Sequence, residues 1–170
     1  MHKLRDSPCD AEADLKAQID RIAGRGKVYV LGLGNTDRGD DGAGVLVAEE
    51  LKKLFPSYSY SEHDGVEGTV LDISERAEEL CVFFVDASDM KMNPGSIRIV
   101  KKDEIRDSEI TTHRVAVALM ASILERAGKK SAVICIQPKA IEFQGLVSDP
   151  VKSSVDRLVK VLAKTIDSRS

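Results

Sequence analysis

The chain has 170 residues, of which 42% are hydrophobic and 31% are charged. This length allows one domain with a full core, and the composition is typical of a folded protein and excludes a disordered one. The net charge of -3 argues against a nucleic-acid-binding surface, and no apolar run approaches the length of a membrane span.

Residues 1–26 are predicted to form an N-terminal leader that contains one short amphipathic helix. Leu15, Ile19 and Ile22 recur at helical spacing, and a Gly-Arg-Gly sequence then ends the pattern. We expect this helix to pack on the edge of the sheet or domain, with a partner-docking segment as the alternative. Since the leader lacks the apolar core of a signal peptide, we expect a cytoplasmic protein.

A strand, a glycine-rich turn and a helix follow the leader. The run Val28 to Leu33 is apolar and predicts a buried strand, and a helical pattern then begins at Asp41 and continues to Leu54. The turn between them is polar and glycine-rich. This is the first half of a βαβ unit, in which chemistry usually lies beyond the carboxyl ends of the strands.

The rest of the chain alternates between strand and helix patterns. The predicted elements are strands at 57–64, 81–85, 96–100 and 132–136, helices at 69–80, 115–128 and from 149 onward, and a charged loop at 101–110. Asp149-Pro150 is predicted to cap the last helix. Residues 27–168 are therefore predicted to form a single α/β domain with three α/β/α layers and a mostly parallel, twisted five-stranded sheet.

Three polar residues are expected to meet at the carboxyl edge of this sheet. Asp41 follows the first strand, Asp86 ends the third, and His113 follows the fourth. Two carboxylates and an imidazole form an open set of ligands for a divalent transition metal. The set contains no thiolate, which excludes a closed structural zinc site.

Each of these residues also has a structural interpretation. Asp40 and Asp41 both lie where a helix begins, and neighbouring residues do not share a helix face. We assign Asp40 to the N-cap, where its replacement by Ala would cost about 1 kcal/mol, and Asp41 to the site. Asp86 alternatively caps a turn, and His113 alternatively is a partly buried histidine at a helix start.

Other chemical signatures are absent from the sequence. Asp37 stands where a dinucleotide-binding GxGxxG motif needs its third glycine, and no phosphate-binding loop, zinc-protease motif or nucleophile elbow is present. Asp40, Asp41, Asp86 and Asp89 alternatively hold magnesium for phosphoryl chemistry, but no phosphate-binding loop accompanies them. Cys81 and Cys135 lie in apolar strand patterns and are predicted to be core residues.

The chain resembles the hydrogenase maturation endopeptidases, which process the large subunit of [NiFe] hydrogenases. The resemblance includes a Gly-Asp-Asp-Gly-Ala-Gly turn, Asp-Ala-Ser-Asp-Met after the third strand, Thr-Thr-His before a helix, and Ile-Gln-Pro after the fifth strand. The matching blocks occur in order at residues 32–35, 39–44, 63–65, 85–90, 93–95, 111–113 and 136–138. The Asp-Ala-Ser-Asp-Met, Thr-Thr-His and Ile-Gln-Pro blocks are most similar to the branch that serves formate-hydrogenlyase-type hydrogenases.

The resemblance implies a substrate, a metal and a set of roles. The substrate would be a large-subunit precursor that loses a short C-terminal extension after nickel insertion, so nickel would arrive with the substrate. The family's metal-contacting positions fall on Asp41, Asp86 and His113, and the first of these is Glu in some members. These three residues are also the expected catalytic residues.

The same resemblance implies supporting residues and leaves alternatives open. Gly34 and Asn35 would shape the turn beside the metal, and Asp64 would either orient a metal ligand or act as a structural cap. We expect a monomer with no nucleic-acid partner. A nickel-dependent chaperone without protease activity and a nucleotide-binding domain are the alternative functions.

Overall fold

The computed structural model describes residues 8–107 and 114–170. In this part of the chain the strands are β1 Lys27–Gly32, β2 Ser59–Ser61, β3 Leu80–Ala87, β4 Ile97–Val100 and β5 Lys130–Ile136. They form one sheet with the order β2-β1-β3-β5-β4. All neighbours are parallel except β4, which runs antiparallel to β5 at the sheet edge. The predicted mostly parallel five-stranded sheet is thus confirmed.

Helices cover both faces of the sheet. The described helices are α1 Pro8–Ala23, α2 Ala43–Leu54, α3 Val66–Ser74, α4 Lys102–Asp107, α5 Arg114–Arg126 and α6 Asp149–Asp167. Helices α1, α2 and α6 pack on one face, and α3 and α5 pack on the other. This arrangement gives the three α/β/α layers that the alternation of patterns predicts. None of the helices in the described ranges has both the length and the apolar character that crossing a bilayer requires.

Strand β3 lies at the centre of the domain. Every one of its residues is buried, as expected for a continuous apolar run covered on both faces. Phe83 and Val85 join the core under α2 and α6, whereas Val82 and Phe84 join the core under α3 and α5. The strand therefore links the two cores and carries Asp86 to the sheet edge.

Helix α1 lies within the predicted leader and packs on the same core as α6. Its residues Leu15, Ile19 and Ala23 are buried. Two ion pairs join it to the C-terminal end of the chain: Lys164 Nζ lies 3.2 Å from Glu12 Oε1, and Arg169 Nη2 lies 2.9 Å from Asp20 Oδ1. The helix is thus tied to the domain by apolar and polar contacts together.

Two predicted boundaries near the site were wrong. Helix α2 begins at Ala43 instead of Asp41, because residues Thr36–Gly42 form a 3₁₀ segment with a kink inside it. The predicted strand 57–64 is only Ser59–Ser61 long, since Ser61 Oγ accepts a hydrogen bond from the amide of His63 and starts a short 3₁₀ turn, Glu62–Asp64. Asp41 therefore lies in a tight turn before the helix.

Three predictions farther from the site were also wrong. The helix predicted at 69–80 is α3, Val66–Ser74, and the apolar spacing that continues to Leu80 is coincidental because Leu80 begins β3. The stretch predicted as a charged loop contains α4, whose start is supported by a hydrogen bond from the Lys101 amide to Glu104 Oε1 at 3.3 Å. The N-cap of α6 is Ser148, one residue before the predicted Asp149.

A Gly44→Ala substitution is expected to lower the free energy of unfolding by about 1 to 3 kcal/mol. Gly44 lies in the first turn of α2, and a Cβ there would lie 2.0 Å from the Val85 carbonyl oxygen and 2.4 Å from that of Leu33. The helix would have to move away from the ends of β1 and β3. Urea unfolding followed by circular dichroism measures the change.

Gly68→Ala is the matched control for this substitution. Gly68 lies in α3, and a Cβ there would meet nothing within 4 Å. Alanine should therefore stabilise the protein by up to about 1 kcal/mol, through its higher helix propensity. Equal effects of the two substitutions would contradict the close contact between α2 and β3.

Candidate active site

The 3₁₀ segment Thr36–Gly42 positions Asp41 at the carboxyl edge of the sheet. Asn35 caps the segment, because its Oδ1 accepts a hydrogen bond of 2.8 Å from the Asp37 amide. The Asn35 amide in turn donates to the Asp41 carbonyl at 3.3 Å. Gly34 has a φ of 125°, and a Cβ there would lie 1.9 Å from the Asp41 carbonyl oxygen. Gly34 and Asn35 therefore form the turn that encloses Asp41.

The same edge carries Asp86. The Leu33 amide donates to the Val85 carbonyl at 2.8 Å, and Gly44 packs against that same carbonyl. The chain around Asp41 is thereby fixed against the end of β3, where Asp86 follows Val85. Asp41 is 5% exposed and Asp86 is fully buried. The structure places these two predicted carboxylates at one sheet edge, as the parallel order requires.

The carboxylate of Asp41 has an oxygen that is available to bind a ligand. Its Oδ1 is buried, and no hydrogen-bond partner for it exists among the described residues. A buried carboxylate oxygen without a partner costs stability, which is expected where a ligand completes the site. The oxygen is hard and anionic, so a cation fits this position.

The third predicted ligand, His113, lies outside the described residues, as do Thr111 and Thr112. Within residues 8–107 and 114–170, no three His, Cys, Asp or Glu side chains form a group that could hold a metal ion. The set of Asp41, Asp86 and His113 therefore stays a prediction.

The assignment of Asp40 to a helix cap was wrong. Its Oδ2 accepts hydrogen bonds from the amides of Lys139 and Ala140 at 2.7 and 3.1 Å and from Ser148 Oγ at 2.8 Å. Its Oδ1 accepts from the Ser148 amide at 2.7 Å. Helix α2 has Gly42 as its N-cap, without a side-chain hydrogen bond. Asp40 thus holds the β5–α6 loop (residues 137–148) against the 3₁₀ segment.

Asp40 is ionised in this setting. Burial acts to raise the pKa of the Asp40 carboxyl, but the hydrogen bonds from Ser148, Lys139 and Ala140 outweigh it and lower the pKa below 3.8. The Asp40 amide also donates to the Ala140 carbonyl at 3.3 Å. The carboxylate next to Asp41 is therefore fully paired and serves structure.

Gln137 and Ser148 support the site. No role was predicted for either residue, although Gln137 lies in the Ile-Gln-Pro block at 136–138. Gln137 is 7% exposed, and its Oε1 accepts hydrogen bonds of 2.7 and 3.3 Å from the amides of Met90 and Met92. It therefore holds the turn that follows Asp86. The partners lie 45 to 108 residues apart, so no local pattern could have revealed them.

Asp64 makes the contacts of a structural cap. Its Oδ2 accepts a hydrogen bond of 2.9 Å from the Ser61 amide, and its Oδ1 lies 2.5 Å from Lys52 Nζ. Burial acts to raise the pKa of Asp64, but the hydrogen bonds from Lys52 and Ser61 outweigh it and lower the pKa. An additional role in orienting a metal ligand stays a prediction, because His113 is not described.

An open cleft of about 440 Å³ begins at the end of β1. Its floor and walls come from the turn after β1, the two 3₁₀ turns, α3 and α5. The lining residues are Leu33, Gly34, Asn35, Thr36, Asp37, Glu62, His63, Glu67, Ala116 and Met120. Because the acidic side chains in this lining outnumber the single histidine, the cleft favours a cationic or neutral chain segment.

A thiol nucleophile is excluded at the described cysteines Cys81 and Cys135. Both are buried in the core, as predicted. Burial raises the pKa of the Cys81 thiol to about 12 and that of Cys135 to about 11. Neither forms a thiolate near neutral pH.

Comparison with known proteins identifies relatives over most of the chain. A family model described as hydrogenase maturation protease matches residues 46–165. The hydrogenase 3 maturation protease of Escherichia coli K12 is 33% identical over 138 residues, which cover 78% of this chain and 86% of the relative.

Solved structures of hydrogenase maturation proteases are also similar to this chain. The crystal structure of the [NiFe] hydrogenase maturation protease HycI from Thermococcus kodakarensis is 27% identical, with a TM-score of 0.74 over 88% of this chain and 99% of that one. The solution structure of the endopeptidase HycI from Escherichia coli is 28% identical, with a TM-score of 0.67 over 81% and 90% of the two chains.

Proposed function

The chain belongs to the hydrogenase maturation protease family, and from this membership we propose that it removes the C-terminal extension of a [NiFe] hydrogenase large-subunit precursor after nickel insertion. The observation that carries the proposal is the buried Asp41 oxygen without a hydrogen-bond partner among the described residues. A cation on the substrate would complete this position. The second carboxylate, Asp86, lies at the same sheet edge and would contribute to the same contact.

Nickel in this proposal is part of the substrate. The precursor would hold the ion through cysteine thiolates, and Asp41, Asp86 and His113 would contact it from the protease side. Two carboxylates and one imidazole form a weak site in isolation, so binding would be strong only when the partner's ligands complete the coordination. The protease would thus select precursors that already contain nickel.

Cleavage would be a hydrolysis at a peptide bond near this ion. Water adds to the carbonyl carbon, the carbon–nitrogen bond breaks, and the departing amine takes up a proton. The substrate-borne nickel would act as a Lewis acid toward the scissile carbonyl or the attacking water. The buried carboxylates would hold the ion in a low-dielectric setting, where charge stabilisation is strongest.

The cleft at the end of β1 would accept the chain segment that carries the scissile bond. Its wall includes Gly34 and Asn35, which also enclose Asp41. A segment in the cleft therefore passes directly beside the turn that carries the carboxylate. This continuity supports a protein substrate with an extended end.

We expect nickel-loaded precursor to lose a C-terminal peptide on incubation with this protein, whereas nickel-free precursor keeps its mass. The reason is that only the loaded precursor completes the contact with Asp41 and Asp86. Intact-mass spectrometry of the large subunit is the measurement, and precursor lacking the extension is the control.

Failure to shorten loaded precursor, together with demonstrated complex formation, would contradict the proposed function and favour a chaperone role. Cleavage of loaded and nickel-free precursor at equal rates would contradict the selection by nickel.

A further inference from the structure

The β5–α6 loop displays large apolar side chains beside the site. Phe143 is 77% exposed, Leu146 is 91% exposed and Ile141 is 36% exposed. Large apolar side chains on a fixed surface commonly mark a binding site for another protein. The proposed cleavage chemistry alone does not explain why these apolar side chains are exposed.

Hydrogen bonds to the two ends of the loop hold it in this position. Asp40 binds both of its ends, at Lys139, Ala140 and Ser148, through the hydrogen bonds given above. The 3₁₀ segment that contains Asp40 continues directly to Asp41. This loop therefore lies next to any protein chain that binds at Asp41.

The tip of the loop has a strained backbone. The Gly145 amide donates to the Glu142 carbonyl at 2.9 Å, which closes a turn around Phe143 and Gln144. Gln144 has a φ of 57°, a left-handed conformation that is uncommon for residues other than glycine. Its amide donates to the Asp37 carbonyl at 2.6 Å, so the 3₁₀ segment holds the strained residue in place.

Asp37 joins the loop to the cleft. It lines the cleft and also accepts the hydrogen bond from Gln144. The cleft wall and the tip that carries Phe143 are consequently one continuous surface. A folded protein whose end lies in the cleft would rest on this tip.

From these contacts we infer that Phe143 and Leu146 form a docking ridge for the folded body of the large-subunit precursor, next to the segment that enters the cleft. This inference rests on the proposed function. The ridge supplies apolar contact with the precursor, the cleft takes its extended end, and Asp40 keeps the two aligned as a positioning residue. The ridge contributes to affinity and selects a folded subunit over an isolated peptide.

The test compares a Phe143→Ser, Leu146→Ser double variant with wild type. The KM for nickel-loaded precursor is expected to rise about tenfold or more, because truncated apolar anchors commonly account for most of the binding energy of an interface. The kcat should stay within about twofold, since neither side chain contacts the reacting atoms. Both residues are exposed, so the variant is expected to unfold at the wild-type urea concentration.

Leu54→Ser is the matched control. Leu54 is 64% exposed at the C-terminal end of α2, and that helix begins beside the site and runs away from it for 12 residues, or roughly 18 Å. The control should keep the wild-type KM. An unchanged KM in the double variant, or an equal rise in the control, would overturn the docking ridge.

The affinity of the protein for loaded precursor is measured in the same samples, which separates this inference from the proposed function. If wild type binds the precursor without cleaving it, the proposed function fails. The docking ridge then stands if the double variant alone loses affinity, and it falls if all proteins bind equally.

Discussion

An Asp41→Asn variant is expected to process nickel-loaded precursor roughly 100-fold more slowly than wild type, or to stop processing altogether. The neutral amide keeps the size of the carboxylate but removes the negative charge that would contact the substrate-borne nickel. The fold should not suffer, because the buried Oδ1 of Asp41 has no hydrogen-bond partner among the described residues. The free energy of unfolding is expected to equal or exceed that of wild type, by up to about 1 kcal/mol.

Single-turnover processing assays and urea unfolding measure the two effects. Asp72→Asn, which removes the same charge from an exposed position in α3, is the control and should change neither quantity. His113→Ala is expected to match Asp41→Asn in activity. Processing at the wild-type rate in Asp41→Asn would contradict the assignment of the metal contact.

The central position of β3 was predictable because it depends on a strong local pattern. The run from Leu80 to Ala87 is apolar except for Asp86, and such a run has no stable place other than a central strand. Because β3 is central and parallel to β1, Asp86 lies at the same sheet edge as the turn that follows β1. The central strand and the shared sheet edge were enough to place Asp41 and Asp86 together from the sequence.

Local patterns failed where a distant partner or a short-range hydrogen bond decides the structure. The apolar spacing of α3 continues past Ser74, but Ser74 Oγ donates to the Leu71 carbonyl at 2.7 Å and the helix ends there. Asp40 was predicted as a cap because an acidic residue before a helix usually is one. Its actual partners lie 99 to 108 residues away, a distance that no rule on local sequence includes.

Replacing Asp40 is expected to have the largest effect on stability. Asp40→Ala should lower the free energy of unfolding by about 2 to 4 kcal/mol, well above the cost of a lost cap, because hydrogen bonds to a charged group are lost together and their donors are left unpaired. Asp40→Asn should cost about 1.5 to 3 kcal/mol, since an amide presents donors where the Ser148 and Lys139 amides also donate. Urea unfolding at pH 7 measures both.

The difference in the free energy of unfolding between wild type and Asp40→Asn should depend on pH if Asp40 is ionised. It should not depend on pH if the Asp40 side chain only fills space. The pKa of Asp40 is lower in the folded protein than the ordinary 3.8, so its contribution is fully present above about pH 4 and is lost as the pH falls through the folded value. The gap between wild type and Asp40→Asn should therefore be largest at pH 7 and shrink steadily below pH 3.8. A gap that stays constant down to the acid unfolding of the protein would contradict the charged hydrogen bonds.

At pH 7 and a temperature where the variant is still folded, Asp40→Asn should also raise the KM for loaded precursor, because the docking ridge then loses its attachment to the segment that carries Asp41.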